Sequence, residues 1–370
     1  MDIVLLPGST ENAWDGIEVY SYEVGRRLAE KGHNVVGIKL GDKSFIRDVS
    51  ERFSVKYIAV PGIKGGLGYH MRFGLAVSKS REALLNSNVI HAIGGYYAPI
   101  EFLPHKKVVT VIGASSLREK SSMKKSLRRL MGRMLYKMAD AYIAPNQLIK
   151  NELEVYYKIS NPFLIPNGVD LDGLRVERRK EIRDKFGISP DEKVVLYLGQ
   201  LVYGKRLKEL IVSFAKLSET EEKARLILVA WGYLKDQIQA LIKDLRITSK
   251  VSLIKPVKYP ERKYAYSLGD VFVMMGESFG DGGVSSALLD AMGAGLPVIV
   301  SKNSVNSSLV IDGYNGYSVN PEVTESVVMA MKNCIYNSEL GQRSLEIARN
   351  YDWGKIAEEI IKVYEYALRK

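Results

Sequence analysis

Short apolar runs of four to six residues, each closed by glycine, proline or small polar residues, recur along this chain in two series. Ile3–Leu6, Val35–Leu40, Tyr57–Val60, Val89–Ile93, Val108–Ile112 and Ala141–Ala144 predict a first set of strands, with Phe163–Pro166 at its end. The pattern restarts with Val194–Leu198, Leu226–Ala230, Val251–Ile254, Val271–Met274 and Val298–Val300. Between them lie helix-patterned stretches, Val19–Lys31 stopped by Gly32, Leu207–Leu217 and Leu234–Leu245. Strand, helix and strand with short links make the βαβ unit of a parallel sheet. At 370 residues the chain is comfortable for two such cores. The charged stretch Leu171–Lys193 reads as the connection between them. The expectation is two doubly wound α/β domains facing across a cleft. Residues 1–172 form the first and residues 173–352 the second. A closing helix of about Gly354–Leu368, within 353–370, crosses back to the first.

The stretch Glu277–Val300 joins most of the features a ligand site needs. It opens with Gly280-Asp281-Gly282-Gly283 and continues as a helix pattern with Val284, Ala287, Leu288 and Ala291 on one face. Gly293, Gly295 and Pro297 then lead into a strand. A loop of small residues entering a helix exposes backbone N–H groups and the positive end of the helix dipole, which suits a phosphate. Asp290, farther along, offers a carboxylate for sugar hydroxyls; the plainer reading is a solvated helix residue. The Asp15-Gly16 loop follows the first strand, and Gly94-Gly95 and Gly113-Ala114-Ser115 follow later ones. All fall at strand carboxyl ends, where open α/β sheets bind ligands; tight turns explain any single glycine as well. No GxGxxG fingerprint is present.

Apolar residues make up 46% and charged ones 26%, as in ordinary globular proteins. The one cysteine, Cys334, excludes an intramolecular disulfide and fits a reducing, cytoplasmic setting. No 18-residue apolar run occurs, and the first residues, MDIVLLPG, read as a strand rather than a signal peptide. A formal charge of +11 points to an anionic partner. Met123–Met138 is patterned as an amphipathic helix whose polar side carries Lys124, Lys125, Arg128, Arg129 and Arg133 and no acid. It can lie on an anionic membrane surface, or it can be a core helix with a solvated basic face. No nucleic-acid motif or aromatic interleaving accompanies it, so nucleic acid is not the expected partner.

With those segments in place the chain resembles the retaining GT-B glycosyltransferases of family four. These include sucrose synthases, phosphatidylinositol mannosyltransferases and lipopolysaccharide glycosyltransferases. LLDAMGAGLPVIVS at 288–301 is similar to the family's L-L-E-A-M-A-x-G-x-P-V-I, and it is supported by Ile165–Asp170, Tyr197–Lys205, Ile311–Gly316 and Tyr351-Asp352-Trp353. The resemblance implies transfer of a sugar from a UDP- or GDP-sugar to a hydroxyl, perhaps of a lipid-linked glycan or membrane lipid. It implies no cofactor beyond that co-substrate and no metal; the chain has four histidines and one cysteine.

It also implies roles. Lys205 matches the lysine that holds the donor diphosphate, Gly16 the glycine that approaches it, and Asp290 the ribose-hydroxyl acceptor. Gly199, Gln200, Arg206, Gly282, Gly283 and Val284 complete the donor set, and Asp281 joins Lys205 as a catalytic candidate. Three departures stand out. Gln200 replaces the arginine that usually follows the glycine, leaving Arg206 to supply that charge. Ile112 replaces a histidine. The family's first glutamate, counted back from Asp290, falls on Gly282; Asp281, one residue away and followed by glycine, fits better than Glu277. The departures leave a second reading, a non-catalytic GT-B scaffold that binds a glycan, a lipid or a partner enzyme.

Overall fold

The computed structural model describes residues 1–7, 16–60, 66–94, 105–112, 139–276 and 283–370, without the side chains of 66–71. It divides into two compact units. One comprises Met1–Gly168, Gly280–Val284 and Trp353–Lys370; the other comprises Val169–Phe279 and Ser285–Asp352.

The first unit holds strands β1 (Asp2–Pro7), β2 (Asn34–Gly41), β3 (Phe45–Ser50), β4 (Phe53–Ala59), β5 (Val89–Ile93), β6 (Lys106–Thr110), β7 (Ala141–Ala144) and β8 (Phe163–Leu164). Its described helices are α1 (Gly16–Glu30), α2 (Gly66–Lys79), α3 (Arg81–Leu85), α4 (Gln147–Val155) and, far along the chain, α12 (Trp353–Arg369). The sheet order is β3-β4-β2-β1-β5-β6-β7-β8, and only the β3–β4 pair is antiparallel. The order steps outward from β1 in one direction and then, from β5, in the other. The reversal between β1 and β5 is a topological switch point, where ligand crevices form. Strand β3 lies outside the predicted set. Its FIRDVS sequence is exposed along nearly its whole length, so it carries no run of buried apolar residues to reveal it. Helix α1 begins at Gly16, three residues before the predicted start, so Gly16 opens the helix rather than ending a loop.

The second unit holds β9 (Lys193–Gln200), β10 (Ala224–Trp231), β11 (Val251–Ile254), β12 (Val271–Met274), β13 (Val298–Ser301) and β14 (Gly316–Val319). Its helices are α5 (Arg179–Lys185), α6 (Leu207–Thr220), α7 (Lys235–Asp244), α8 (Arg262–Tyr266), α9 (Ser286–Gly293), α10 (Thr324–Ile335) and α11 (Ser338–Ala348). All its strands are parallel, in the order β11-β10-β9-β12-β13-β14, with the switch between β9 and β12. The charged stretch after Leu171 is no loose connection. Arg183 of α5 is buried, ion-paired to Asp270 at 3.0 Å and donating to the carbonyl oxygens of Leu268 and Glu192.

Helix α12 is a wall of the first unit. Ile356, Ile360, Val363, Tyr364 and Ala367, at helical spacing, are all buried against the face that α1 also covers. Burial of each large apolar side chain contributes about 1.5–3 kcal/mol. Trp353 starts the helix edge-on to Tyr20, with ring centroids 5.4 Å apart, and lies so close to Gly168 that a Cβ there would stand 2.5 Å from the indole.

A buried polar chain ties this helix to the sheet. His91 on β5 meets the Tyr364 hydroxyl through Nδ1 at 2.7 Å and the Thr110 hydroxyl through Nε2 at 2.7 Å. Thr110 lies 3.3 Å from the Tyr20 hydroxyl. Burial pushes His91 down to about 3, so it stays neutral in the fold. The unfolded chain takes up its proton near pH 6.5 while the folded chain does not, so stability is retained above that value and declines as pH falls toward 3. Urea unfolding is expected to give about 2 kcal/mol less stability at pH 5 than at pH 7 through this group. A His91→Gln variant should lack that share of the pH dependence; an equal slope in the two proteins would contradict it.

Candidate functional site

The carboxyl edge of the second sheet gathers most of the predicted donor residues. Strand β9 ends at Gly199-Gln200, where a Cβ on Gly199 would stand 2.9 Å from the Tyr197 hydroxyl, itself a donor to the Gln200 carbonyl at 2.8 Å. Gly199 is therefore fixed by packing as much as by any ligand. Gln200 is exposed and pairs with Trp231 in the ladder. The chain then turns, the Lys205 N–H donating to the Val202 carbonyl at 3.3 Å, and brings half-buried Lys205 to the end of β12. There a Cβ on Gly276 would stand 3.1 Å from the Lys205 side chain and 3.4 Å from its Cα. Lys205 thus occupies the β9–β12 switch point, with its stem against a backbone that carries no side chain.

Arg206 does not stand free beside it. Held in a left-handed backbone conformation (φ 53°), it pairs with Glu209 at 2.9 Å and Glu322 at 3.4 Å. The charge expected to replace the missing arginine is thus shared with two carboxylates of the same unit.

For Asp290 the plainer reading, a solvated helix residue, does not hold. The residue lies about one turn into α9, not solvated but 5% exposed, and Oδ2 accepts a hydrogen bond from Arg262 Nε at 2.9 Å. Arg262, likewise buried, stacks on the Tyr259 ring at 3.6 Å and lies 3.9 Å from an Asp170 oxygen. Tyr266 completes the group. Its hydroxyl donates to the Ala287 carbonyl at 3.2 Å, and burial with the Asp290 charge beside it raises its phenol well above the ordinary value. The carboxylate is the keystone of a charged knot joining α8 to α9. The partner, 28 residues earlier, had no signal in the sequence beyond being a basic residue in an otherwise helix-patterned stretch.

Helix α9 starts at Ser286, after the predicted Val284. The Ser285 N–H is taken by Asn306 Oδ1 at 2.9 Å. Gly283 and Val284 group with the first unit. A Cβ on Gly283 (φ +122°) would stand 3.0 Å from Pro145, and the buried Val284 accepts from Asn167 Nδ2 at 2.8 Å. Glu277, Asp281, Gly282, and the 123–138 segment with Lys124, Lys125, Arg128, Arg129 and Arg133, lie outside the described residues.

In the first unit, Gly16 is exposed and a Cβ there would meet nothing within 4 Å. Packing does not demand glycine at that point. Beside it Gly94 (φ +89°) ends β5, with room for no Cβ against Ile17. Gly16 and Gly94 thus mark the β1–β5 switch point. The buried pair Glu18–Lys39, with Lys39 also 6.0 Å above the Tyr57 ring, holds the first turn of α1. Among the described residues no three His, Cys, Asp or Glu side chains gather as metal ligands do, and no helix is long and apolar enough to cross a membrane.

Residues 178–351 match the family of glycosyl transferases group 1, and residues 14–172 match glycosyltransferase family 4. The chain is 24% identical over 310 residues to an uncharacterized glycosyltransferase of Methanocaldococcus jannaschii, covering 80% of this chain and 76% of that one. It is 24% identical over 364 residues to the N-acetyl-alpha-D-glucosaminyl L-malate synthase of Bacillus anthracis, covering 95% and 92%. The alpha-monoglucosyldiacylglycerol synthase of Streptococcus pneumoniae matches at 26% over 178 residues, 47% of this chain and 40% of that protein. Sucrose-phosphate synthase of Thermosynechococcus elongatus superposes with a TM-score of 0.80 over 98% of each chain, at 19% identity. HepE of Anabaena, solved in complex with UDP-glucose, superposes with a TM-score of 0.74 over 97% and 98%, at 16% identity.

The buried knot sets a stability test. Asp290→Leu strands the Arg262 charge and is expected to cost about 3–5 kcal/mol in urea unfolding. Adding Arg262→Leu should recover most of that loss; a double variant no more stable than the single one would show the pair is not coupled.

Proposed function

The chain belongs to glycosyltransferase family four and has the GT-B fold, and on that premise we propose that it transfers a hexosyl group from a UDP- or GDP-sugar to a hydroxyl with retained configuration. The observation that carries this reading is Lys205 at the β9–β12 switch point, against Gly276. An ammonium fixed there opposes the charge that grows on a departing diphosphate, and first-turn N–H groups of α9 add partial positive charge from the same sheet edge. The C1–O bond to the diphosphate breaks and a C1–O bond to the acceptor forms on the same face. The acceptor proton passes to the leaving phosphate oxygen. No protein nucleophile and no metal enter this scheme. Gly16, open where a Cβ would meet nothing, suits close approach of the phosphates to backbone.

A relative that makes a glucosyldiacylglycerol and another named phosphatidyl-myo-inositol mannosyltransferase favour a lipid or lipid-linked acceptor. The basic 123–138 segment suits an anionic membrane surface. Replacing Arg128, Arg129 and Arg133 with Gln should weaken sedimentation with anionic liposomes and leave neutral ones unaffected; unchanged binding would remove the membrane from this reading.

The scaffold reading draws on Arg206 and Asp290, both already ion-paired within the protein. Calorimetric titration with UDP and GDP separates the two. One nucleotide should bind, and Lys205→Ala should weaken it about 10- to 150-fold, as loss of a charge-assisted hydrogen bond of ~1.5–3 kcal/mol implies. Gly16→Val should weaken it too while leaving unfolding within about 0.5 kcal/mol of wild type. A folded protein that binds neither nucleotide would favour the scaffold.

A further inference from the structure

Three aromatic side chains stand in solvent at the carboxyl ends of β9 and β10: Tyr203 is 71% exposed, Tyr233 66% and Trp231 42%. Single exposed aromatics are ordinary; three on adjacent strand ends, at the edge where open α/β sheets take ligands, form a patch. Their backbone is fixed. The Leu201 N–H donates to the Trp231 carbonyl at 2.6 Å, and the Leu234 N–H donates to the Leu201 carbonyl at 3.1 Å. Between these bonds Gly232 lies so close that a Cβ would stand 2.4 Å from the Leu201 oxygen. The rings of Tyr203 and Tyr233 meet at 5.8 Å between centroids, tilted by 53°, and the Tyr233 hydroxyl accepts the Tyr203 N–H at 3.2 Å.

Tyr203 precedes Lys205 by two residues, in the turn that carries the lysine to the switch point. Tyr203 follows β9 and Tyr233 follows β10, and β10 neighbours β9 on the side away from β12, so the aromatic pair and Lys205 lie to either side of the end of β9. A cation on one side and flat π-faces on the other match a ligand that is anionic at one end and aromatic at the other.

Resting on the donor-site reading above, we infer that Tyr203 and Tyr233 form a stacking platform for the nucleobase of the nucleoside diphosphate whose phosphates Lys205 holds. Tyrosine suits the task, because it presents a large flat face and loses only two side-chain torsions on binding. The platform binds the base by its face and leaves its hydrogen-bonding edge to other groups. Its contribution is therefore to affinity for any nucleotide rather than to the choice between UDP and GDP.

The test is calorimetric titration with UDP, GDP and inorganic pyrophosphate. The proteins are wild type, Lys205→Ala, Tyr203→Ala, Tyr233→Ala and the ring-preserving Tyr203→Phe and Tyr233→Phe, each shown folded by circular dichroism. The alanine variants should bind the nucleoside diphosphate about 5- to 150-fold more weakly, the factor for one base–aromatic stack of ~1–3 kcal/mol. They should bind pyrophosphate as wild type does, and the phenylalanine variants should stay near wild type for both. Alanine variants that keep nucleotide affinity, while Lys205→Ala loses it, overturn the platform and leave the donor site standing. An equal loss for pyrophosphate overturns it as well, because that loss belongs to a displaced Lys205 turn. A wild-type protein that binds no nucleotide removes the donor site and the platform together.

Discussion

Parallel pairing is the constraint on which the rest of this structure depends. When strands run the same way, every chain segment leaving a strand does so at one edge, and the helix that follows must start there. Where the order reverses, the two flanking segments diverge and leave a gap. The molecule does this twice, between β1 and β5 and between β9 and β12. Each gap is flanked by glycine, Gly16 and Gly94 at one and Gly276 at the other. Among the described residues a lysine, Lys205, is set into the second. That is a chemical rather than a topological difference between the described parts of the two gaps, and the proposed donor site rests on it.

Charged groups inside the fold are used as fasteners. Arg262–Asp290, Arg183–Asp270 and Glu18–Lys39 each join a helix to a neighbouring element, and each pair keeps its partner from being stranded. Such pairs contribute less to stability than apolar packing would, but they admit one arrangement only. The position of α9 relative to α8, and of the first turn of α1 relative to β2, is fixed by charge geometry that a purely apolar contact would leave free to slide. Helices α9 and α1 both begin at the carboxyl edges of their sheets.

The sequence carried the architecture because burial on both faces of a parallel strand writes itself as an uninterrupted apolar run. Ala141–Ala144 and Val271–Met274, buried throughout, are strands at those same boundaries. The exposed antiparallel strand β3, half charged or polar, leaves no such trace. Lys205 was called from its match to the family's lysine, and the fold places it five residues beyond β9, against Gly276. The ion-pair partners of Asp290 and Arg206 were not legible, because what a charge does depends on which opposite charge the fold brings to it. Glu322 reaches Arg206 across 116 positions, and no local pattern encodes that meeting. The tyrosine pair was hidden for a related reason: Tyr203 and Tyr233 are 30 positions apart and become neighbours only when β9 and β10 pair.

Helix α12 gives the fold an order in time. Its residues cover the sheet face of the first unit, yet the ribosome makes them after the whole of the second. While the second unit is being synthesised, Tyr20, His91 and Thr110 have no Tyr364 to meet, and the apolar face around Ile3 and Val108 lacks its cover. The unit that emerges first is therefore completed last. Until α12 is released behind the second unit, the first is an open-faced sheet, the state in which a chaperone has most to hold.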